Sequence, residues 1–240
     1  MTAVIVQARL DSKRLPEKSL LPLQGKPLIF RVMEALNRVA GDIRVLACPE
    51  DCAETFRPLA DAARFELAPG PKEHVLRRYC MAIRRYKPDR VIRATGDNPF
   101  VFADAACAIN REAESLGADY AGYGGMPCGA GVESIQSEAL LRAEREAERE
   151  AEREHVCPYL YAHPERFLLH RPLAPPVWRG LSLRITVDTP ADFAQAEQLY
   201  RALSETAPGD ARYYGEVIIR ARRALAGPLG QGRDPRDPRP

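Results

Sequence analysis

Basic residues crowd the loop that follows the first apolar run of this 240-residue sequence. After the run Ala3–Ala8 come four cationic side chains and a hydroxyl: Arg9, Ser12, Lys13, Arg14 and Lys18. Like charges this close repel one another, so a loop that gathers them favours an anion as its partner. Arginine and lysine donors, a serine hydroxyl and backbone N–H groups are the donors that bind a polyphosphate. The loop therefore predicts either a polyphosphate site or a solvated basic surface loop.

The loop matches neither of two common nucleotide-binding patterns. It lacks GxxxxGK[ST] and is not a Walker P-loop, and it lacks GxGxxG and is not a standard dinucleotide loop. Its charge acts locally, because the whole chain has 35 basic and 33 acidic residues and a net charge of +2. Proteins that bind nucleic acid or anionic membranes through bulk charge carry a larger basic excess. We therefore expect a small anionic ligand, and neither nucleic acid nor a membrane as a partner.

Hydropathy and cysteine usage predict a cytoplasmic protein. No apolar run reaches the length of about 18 residues that a membrane span needs. The N-terminus runs directly into a strand pattern and lacks the layout of a signal peptide. The six cysteines form no CxxC pair and no zinc spacing, so reduced thiols are expected.

Two aspartates follow predicted strands. Asp97 comes after DRVIRAT, and Asp188 ends LSLRITVD. Each has an ordinary structural interpretation, since aspartate is common in turns and since Asp188 or Thr189 could cap the following helix. Arg93 and Thr95 lie on the strand that leads into Asp97. They either line a ligand pocket or are ordinary polar residues at a strand end.

Strands alternate with helices along the first half of the chain. Apolar residues recur at helical spacing in LIFRVMEALNRV and EHVLRRYCMAIRRY, among the strand patterns DIRVLAC, DRVIRAT and ADYAGY. This alternation predicts an α/β fold with a mostly parallel sheet flanked by helices. Ligands bind such sheets at the carboxyl ends of the strands, where both the basic loop and Asp97 lie. Asp104 is expected to cap the helix that begins at Ala105.

The second half of the chain is less regular. The tetrad AERE repeats from Ala143 to Glu154 and predicts one solvated helix with alanines on one face, in which Glu146 pairs with Arg149. RFLLHRP and LSLRITVD have strand patterns, and two helical patterns, TPADFAQAEQLYRAL and YGEVIIRARRAL, close the chain. We expect one domain over residues 1–225 and a disordered tail over 226–240, AGPLGQGRDPRDPRP.

Four segments, in unchanged order, resemble the cytidylyltransferases that activate acidic sugars. QARLDSKRLPEK resembles their A-R-x-x-S-x-R-L/I-P-x-K signature, and RATGDNPFVFAD resembles T-G-D-x-P-h-h-D, where h is apolar. EHVCPYLYAHPERF resembles E-H-V-T-P-Y-h-Y followed by H-P-E-x-F, and LRITVDTPADF resembles L-R-h-T-V-D-T-x-x-D. The similarity extends from about Val4 to about Leu203. It favours the spore-coat polysaccharide branch of the acylneuraminate and 3-deoxy-manno-octulosonate cytidylyltransferases.

The resemblance implies a Rossmann-like nucleotide-diphospho-sugar transferase fold and a role for each matched residue. The implied nucleotide-binding residues are Ala8, Arg9, Ser12, Arg14, Lys18, Arg93 and Thr95. The implied catalytic residues are Arg9, Lys18 and Asp97. The implied Mg²⁺ ligands are Asp97 and Asp188, and the implied sugar contacts are Glu133 and His155. Lys13 falls in a variable position of the motif and is expected to be solvated.

The activity that the resemblance implies is Mg²⁺-dependent transfer of CMP from CTP to a sugar, with release of pyrophosphate, for surface polysaccharide biosynthesis. An acidic sugar is the expected acceptor, and a homodimer built from segments within Tyr123–Arg171 is the expected assembly. The sequence departs from the pattern at Gly131, where an acidic residue is usual, and at Cys157, where threonine is usual. Two alternatives stay open: a glycosyltransferase of related fold, although no DxD motif occurs, and a non-catalytic nucleotide-binding module.

Overall fold

Nine strands in two sheets lie within residues 1–207 and 209–226, the part of the chain that the computed structural model describes. They are β1 (Thr2–Gln7), β2 (Pro22–Leu23), β3 (Lys26–Pro27), β4 (Ile43–Pro49), β5 (Glu66–Gly70), β6 (Arg90–Thr95), β7 (Tyr120–Ala121), β8 (Glu133–Gln136) and β9 (Leu169–His170). The large sheet has the order β5-β4-β1-β6-β8-β7-β9, and β2 pairs with β3 separately. In the large sheet β8 runs antiparallel to both of its neighbours, while the other adjacent pairs are parallel.

Helices cover both faces of the large sheet. Among the described residues they are α1 (Leu28–Leu36), α2 (Ala53–Ala63), α3 (Val75–Tyr86), α4 (Ala103–Leu116), α5 (Ser137–Glu146), α6 (Glu150–Glu154), α7 (Pro158–Ala162), α8 (Pro190–Thr206) and α9 (Gly215–Ala226). Val4 and Val6 of β1 belong to the cluster that contains α1, α2 and α4, whereas Ala3 and Ile5 belong to the cluster that contains α3 and α5. Such two-sided burial is typical of a parallel sheet. The predicted α/β fold, a mostly parallel mixed sheet flanked by helices, is confirmed.

The chain changes side of the sheet between β1 and β6. Strands β4 and β5 are added on one side of β1, and β6 is then added on the other. Ligands of open α/β sheets bind outside the carboxyl ends of the strands at such a point. The Gly96 N–H donates to the Gln7 carbonyl at 2.8 Å, and a Cβ on Gly96 would lie 2.8 Å from the same oxygen. Glycine at position 96 therefore lets the two strand ends approach each other.

The AERE repeat forms two helices instead of the single helix that its pattern predicts. The chain leaves helical geometry at Ala147, whose ψ of 123° is extended. Ala147 is buried, and its carbonyl accepts hydrogen bonds from Arg153 Nε and Nη2 at 3.2 and 3.0 Å. The predicted pair between Glu146 and Arg149 is also wrong, because Glu146 instead binds Arg142 at 2.9 Å. Tertiary burial and contacts outside the repeat override its local pattern.

Other predictions for the chain also need correction. LSLRITVD forms only an isolated bridge between Arg184 and Cys128, and RFLLHRP contributes only the two residues of β9. The segment ELAPG, with no predicted strand, forms β5 at the sheet edge, where proline is tolerated because one side needs no partner. Ala226 ends α9, and the rest of the predicted tail, residues 227–240, lies outside the described residues. No helix of the described chain is both long enough and apolar enough to cross a membrane.

Candidate active site

Lys18 joins the basic loop to the two aspartates singled out in the sequence. Its Nζ donates to Asp97 Oδ2 at 3.1 Å, to Asp188 Oδ1 at 3.0 Å and to the Val187 carbonyl at 2.9 Å. The Lys18 side chain is only 14% exposed, so these charges meet where water screens them poorly. The fold thus brings together side chains from the first loop, the end of β6 and the start of α8.

Cations surround Asp188. Besides Lys18, Arg14 Nη2 lies 3.0 Å from Asp188 Oδ1, and Arg184 Nη2 lies 2.5 Å from Oδ2. Burial acts to raise the pKa of Asp188, but the hydrogen bond from Lys18 and the charges of Lys18 and Arg14 outweigh it, so the pKa falls below its ordinary value. The carboxylate is ionised at neutral pH. Arg184 was not among the predicted site residues, and its only signal in the sequence is its place in the LRITVD segment.

Thr189 caps α8, which leaves Asp188 available to the site. The Thr189 hydroxyl accepts from the Asp192 N–H at 3.2 Å, and Asp192 Oδ2 accepts from the Thr189 N–H at 2.9 Å. These reciprocal bonds form a capping box. Of the two cap candidates that the sequence left open, Thr189 is therefore the cap.

Asp97 and Asp188 fit a divalent cation. Oxygens of both carboxylates lie within 3.1 Å of one point, which the Lys18 ammonium occupies. Among the residues the structure describes, no group of three or more His, Cys, Asp and Glu side chains is placed to hold a metal ion. A pair of carboxylates, with the other positions left for phosphate oxygens and water, is the donor set that Mg²⁺ prefers.

The rest of the basic loop faces solvent at the end of β1. Ala8 is buried, Ser12 is half-buried, and the Arg9 side chain is 56% exposed. Lys13 is exposed, as its variable position predicts. Ser19 Oγ donates to the Arg9 carbonyl at 3.0 Å and so fixes the backbone of the loop. Ser19 is a buried residue that the sequence analysis did not single out.

A cavity of about 1020 Å³ adjoins the Lys18–aspartate cluster. Its wall comes from the end of β6, from the segment after β7 and from residues 181–184. Arg184 lines the cavity and also binds Asp188, so the cavity and the cluster share a side chain. Thr95 lines it as well, and its hydroxyl accepts from Asn98 Nδ2 at 2.7 Å. The volume is sufficient for a sugar-sized ligand.

Comparison with known proteins now decides the family. The family model described as cytidylyltransferase matches residues 3–218. The chain belongs to the cytidylyltransferase family. It is 28% identical over 208 residues to the spore coat polysaccharide biosynthesis protein SpsF of Bacillus subtilis, which covers 84% of this chain and 87% of that protein. Membership of this family makes the protein a nucleotidyltransferase.

Two solved structures share the fold of this cytidylyltransferase. A cytidylyltransferase from Leptospira borgpetersenii serovar Hardjo-bovis superposes with a TM-score of 0.79 at 20% identity, over 91% of this chain and 92% of that one. CMP:2-keto-3-deoxy-manno-octonic acid synthetase in complex with CTP superposes with a TM-score of 0.65 at 17% identity, over 83% and 98%. The predicted Rossmann-like nucleotide-diphospho-sugar transferase fold is confirmed.

Glu133 and Arg93 form an ion pair in the wall of the cytidylyltransferase cavity. Their side chains are 19% and 15% exposed, and Arg93 Nη1 donates to Glu133 Oε2. Glu133 Oε1 accepts from the hydroxyls of Tyr120, at 2.9 Å, and Tyr161. Burial acts to raise the pKa of Glu133, but the charge of Arg93 and these hydrogen bonds outweigh it and lower the pKa. Tyr161 and Tyr120 thus orient the carboxylate.

The remaining predicted positions divide between the cavity and the outer surface. Gly131 lines the cavity, where a Cβ would first meet Met126 Sδ at 3.7 Å, so its lack of a side chain leaves open space. Cys157 is buried with its Sγ 3.6 Å from Glu133 Oε2, behind the cavity wall. His155 is 65% exposed and is not among the residues that line the cavity. The fold therefore does not bring His155 to the site, because it lies at the exposed end of α6.

Proposed function

We propose that this cytidylyltransferase transfers CMP from CTP to an acidic sugar and releases pyrophosphate. The observation that carries the proposal is the convergence of Lys18, Asp97 and Asp188 beside a sugar-sized cavity at the carboxyl ends of the strands. CTP as donor is supported by the CTP complex of the synthetase with the same fold. A role in surface polysaccharide biosynthesis is supported by the likeness to SpsF.

The transfer is an in-line displacement. A hydroxyl oxygen of the sugar attacks the α-phosphorus of CTP, and the bond from that phosphorus to the bridging oxygen of pyrophosphate breaks. The hydroxyl proton passes to solvent, and negative charge grows on the departing pyrophosphate. Arg9, Arg14 and Lys18 are cations at the end of β1 that stabilise this charge, and Ser12 adds a hydroxyl donor. Ala8, Thr95 and Arg93, at or near the ends of β1 and β6, border the nucleotide.

Mg²⁺ is the proposed cofactor, with Asp97 and Asp188 as the residues that would hold it. When bound, it would neutralise charge on the phosphate oxygens. Lys18, whose ammonium lies at the point on which the two carboxylates converge, would be a further cation for the phosphates. Positioning and electrostatic stabilisation therefore supply the catalysis, without a covalent intermediate on the protein.

The charge of the cavity supports an acidic acceptor. Arg171 lines the cavity and stacks over the Tyr161 ring, with its guanidinium carbon 5.1 Å from the ring centre. Arg184 adds a second guanidinium, which also pairs with Asp188, while the carboxylate of Glu133 is neutralised by Arg93. An anionic group on the sugar would meet these cations directly. A direct role for Glu133 in sugar binding stays a prediction, whereas the exposed position of His155 outside the cavity does not support such a role for it.

The geometry of the site supports a glycosyltransferase or a non-catalytic nucleotide-binding module less well than a nucleotidyltransferase. A glycosyltransferase uses a nucleotide-diphosphate sugar and commonly a DxD metal motif, whereas here the two carboxylates come from separate loops and face the basic loop. A non-catalytic nucleotide-binding module has no need for a second carboxylate beside a phosphate clamp. The paired aspartates therefore favour transfer chemistry.

We further propose that the protein works in the cytoplasm as a homodimer. Large apolar side chains are exposed in and just beyond the predicted interface segment: Leu168 at 56%, Leu173 at 68% and Val177 at 51%. Several large apolar side chains exposed within one short segment support an interaction surface there. A second copy of the chain is the proposed partner.

Pyrophosphate release tests the function. The protein with MgCl₂ is incubated with CTP, UTP, ATP or GTP against a panel of sugar acids that includes 3-deoxy-manno-octulosonate. Release above the rate without sugar is expected only with CTP and a sugar acid. A protein that releases nucleoside diphosphate from a nucleotide sugar, and no pyrophosphate from any of these pairs, is instead a glycosyltransferase.

A further inference from the structure

Two carboxylates of α4 bind the outer wall of the cavity, which consists of Tyr123 in the segment after β7 and of the segment between β9 and α8 that contains Trp178. Asp104 Oδ2 accepts from Trp178 Nε1 at 2.9 Å, and Glu112 Oε1 accepts from the Tyr123 hydroxyl. The two acids are about two helical turns apart, so they lie on one face of α4. The rings of Tyr123 and Trp178 pack together, with centroids 5.7 Å apart. Tyr123 lines the cavity, and Trp178 supports it from outside.

Asp104 also anchors the start of the last described helix. Its Oδ1 accepts from the N–H of Gly215, the first residue of α9, at 3.0 Å, and from the N–H of Ala105 at 3.0 Å. A Cβ on Gly215 would lie 2.4 Å from Phe102 and 2.6 Å from Trp178, so the three pack without a gap. Both oxygens of Asp104 therefore accept from N–H groups, and one carboxylate joins α4, α9 and Trp178.

The backbone around Trp178 leaves its indole to be placed by side-chain contacts. Between β9 and α8 the wall pairs with the segment after β7 through two isolated bridges, Gly124 with Leu173 and Cys128 with Arg184, and through a bond from the Gly180 N–H to the Gly125 carbonyl at 3.0 Å. Trp178 itself is the last residue of a short turn, Pro176–Trp178, and its N–H donates locally, to the Pro175 carbonyl at 2.9 Å. The hydrogen bond to Asp104 therefore fixes where the indole of Trp178 lies.

We propose that Asp104 is a positioning residue for the acceptor cavity, acting through Trp178 on Tyr123. The inference rests on the proposed function in taking this cavity as the place of the acceptor sugar. The acceptor would be held between the wall and the end of β6, so a shift of the wall changes acceptor binding while the Lys18–aspartate cluster keeps its geometry. The prediction that Asp104 caps a helix beginning at Ala105 is wrong, because α4 begins at Ala103 and Phe102 is its N-cap. From the first turn of α4, Asp104 instead links the helix to Trp178.

The substitution Asp104→Asn tests the hydrogen bond between Trp178 and Asp104 alone. The amide has nearly the same volume, and its oxygen can still accept from the Gly215 and Ala105 N–H groups. Its NH₂ group would then face the indole N–H of Trp178, donor against donor, so the contact to Trp178 alone is lost. Asp61→Asn, on the exposed surface of α2, is the matched control.

Tryptophan fluorescence reports the environment of Trp178 directly, because Trp178 is the only tryptophan in the sequence. With Asp104→Asn the emission maximum should move to longer wavelength and acrylamide should quench it more strongly, while Asp61→Asn leaves both unchanged. The rise in melting temperature given by MgCTP should stay as in the wild type. Unchanged emission and quenching in Asp104→Asn would overturn the proposal, whether or not the protein transfers CMP.

Kinetics with the sugar acid that the wild type uses give the second readout. Asp104→Asn should raise the KM for the sugar about tenfold, the effect of losing one hydrogen bond to a charged group, with kcat and the KM for CTP unchanged. Trp178→Phe should raise it similarly, and the double variant should be no worse than either single one. A fall in kcat with unchanged KM would mean that Asp104 only supports the fold. Absence of turnover in the wild type would reject the proposed function instead, and the emission shift would still decide the role of Asp104.

Discussion

The ammonium of Lys18 and the carboxylate of Asp188 lie 3.0 Å apart, although 170 positions separate them in the sequence. The contact joins the first loop of the fold to the start of α8. Because Lys18 also binds Asp97, one lysine bridges two carboxylates that would otherwise repel each other. The first loop, the end of β6 and the segment before α8 therefore form one electrostatic unit, and a change in any one of them affects the other two.

Removing the charge of Lys18 or of Arg14, which also binds Asp188, should slow the transfer of CMP. Lys18→Ala and Arg14→Ala are each expected to cost about 2–4 kcal/mol of transition-state stabilisation, the loss typical of a removed electrostatic donor. Lys13→Ala is the matched control, since Lys13 is exposed in the same loop. The measurement is kcat/KM for pyrophosphate release. Equal losses at positions 13 and 18 would show that the loop is a diffuse basic patch.

Removing either carboxylate charge should abolish turnover without unfolding the protein. Asp97→Asn and Asp188→Asn keep the side-chain volume but lose the charge that Mg²⁺ needs. The start of α8 is unaffected, because Thr189 provides the cap. Thr189→Ala is the complementary control, expected to lose about 1 kcal/mol of stability and to keep its turnover at saturating Mg²⁺. Near-wild-type activity of Asp188→Asn at saturating Mg²⁺ would leave Asp97 as the one protein ligand.

Local patterns predicted the first half of the fold well because its elements are regular. The continuous burial of β1 and the apolar stripe of α1 follow directly from the residue pattern. The pattern failed at β5, where proline and glycine disguise a strand, and in the AERE repeat, where burial of Ala147 interrupts a helix. Both failures come from tertiary context, which no local window contains.

Sequence motifs located Lys18, Asp97 and Asp188 but could not supply their partners. The contact of Arg184 with Asp188 depends on an irregular segment folding back over the site. The pairing of Glu133 with Arg93 depends on the reversed strand β8 lying beside β6, which spacing alone does not indicate. His155 shows the opposite case, a motif residue that the fold leaves at the surface.

The proposed dimer should depend on the exposed apolar residues Leu168, Leu173 and Val177. Static light scattering is expected to give about twice the chain mass of 26.7 kDa at micromolar concentration. Leu173→Glu combined with Val177→Glu should give a monomer, because charge at a buried apolar contact opposes association. Leu116→Glu is the control, since Leu116 is also exposed, at 53%, but lies at the end of α4. A wild-type monomer would reject the dimer.

Glu146 should make stability depend on pH in the acid range. Hydrogen bonds from Tyr159 and Arg142, with the charges of Arg142 and Arg166, lower its pKa from 4.5 to about 2. A carboxyl with a lowered folded-state pKa stabilises the protein fully above its unfolded pKa, and this stabilisation is lost as pH falls toward the folded pKa. The melting temperature of wild type should exceed that of Glu146→Gln at pH 7, and the difference should shrink from pH 4.5 downward. Glu148→Gln, exposed in the same repeat, is the control for the loss of one carboxylate.

Glu133 has two possible roles, and its ion pair with Arg93 allows them to be tested separately. The family pattern implies that Glu133 contacts the sugar, whereas its hydrogen bonds to Arg93, Tyr120 and Tyr161 give it a structural task. Glu133→Ala should lower the free energy of unfolding by about 3 kcal/mol, because it leaves the guanidinium of Arg93 buried without its counter-charge.

Replacing both Glu133 and Arg93 distinguishes a structural role of Glu133 from a direct contact with the sugar. Arg93→Met combined with Glu133→Gln should recover part of the stability lost in Glu133→Ala, since no uncompensated charge remains in the wall. Urea unfolding measures this, and the KM for the sugar is measured alongside it. If Glu133→Gln raises the KM for the sugar while the free energy of unfolding is unchanged, Glu133 binds the acceptor directly and the ion pair is incidental. If stability falls and the double variant restores it, Glu133 serves the site by holding Arg93 in the cavity wall.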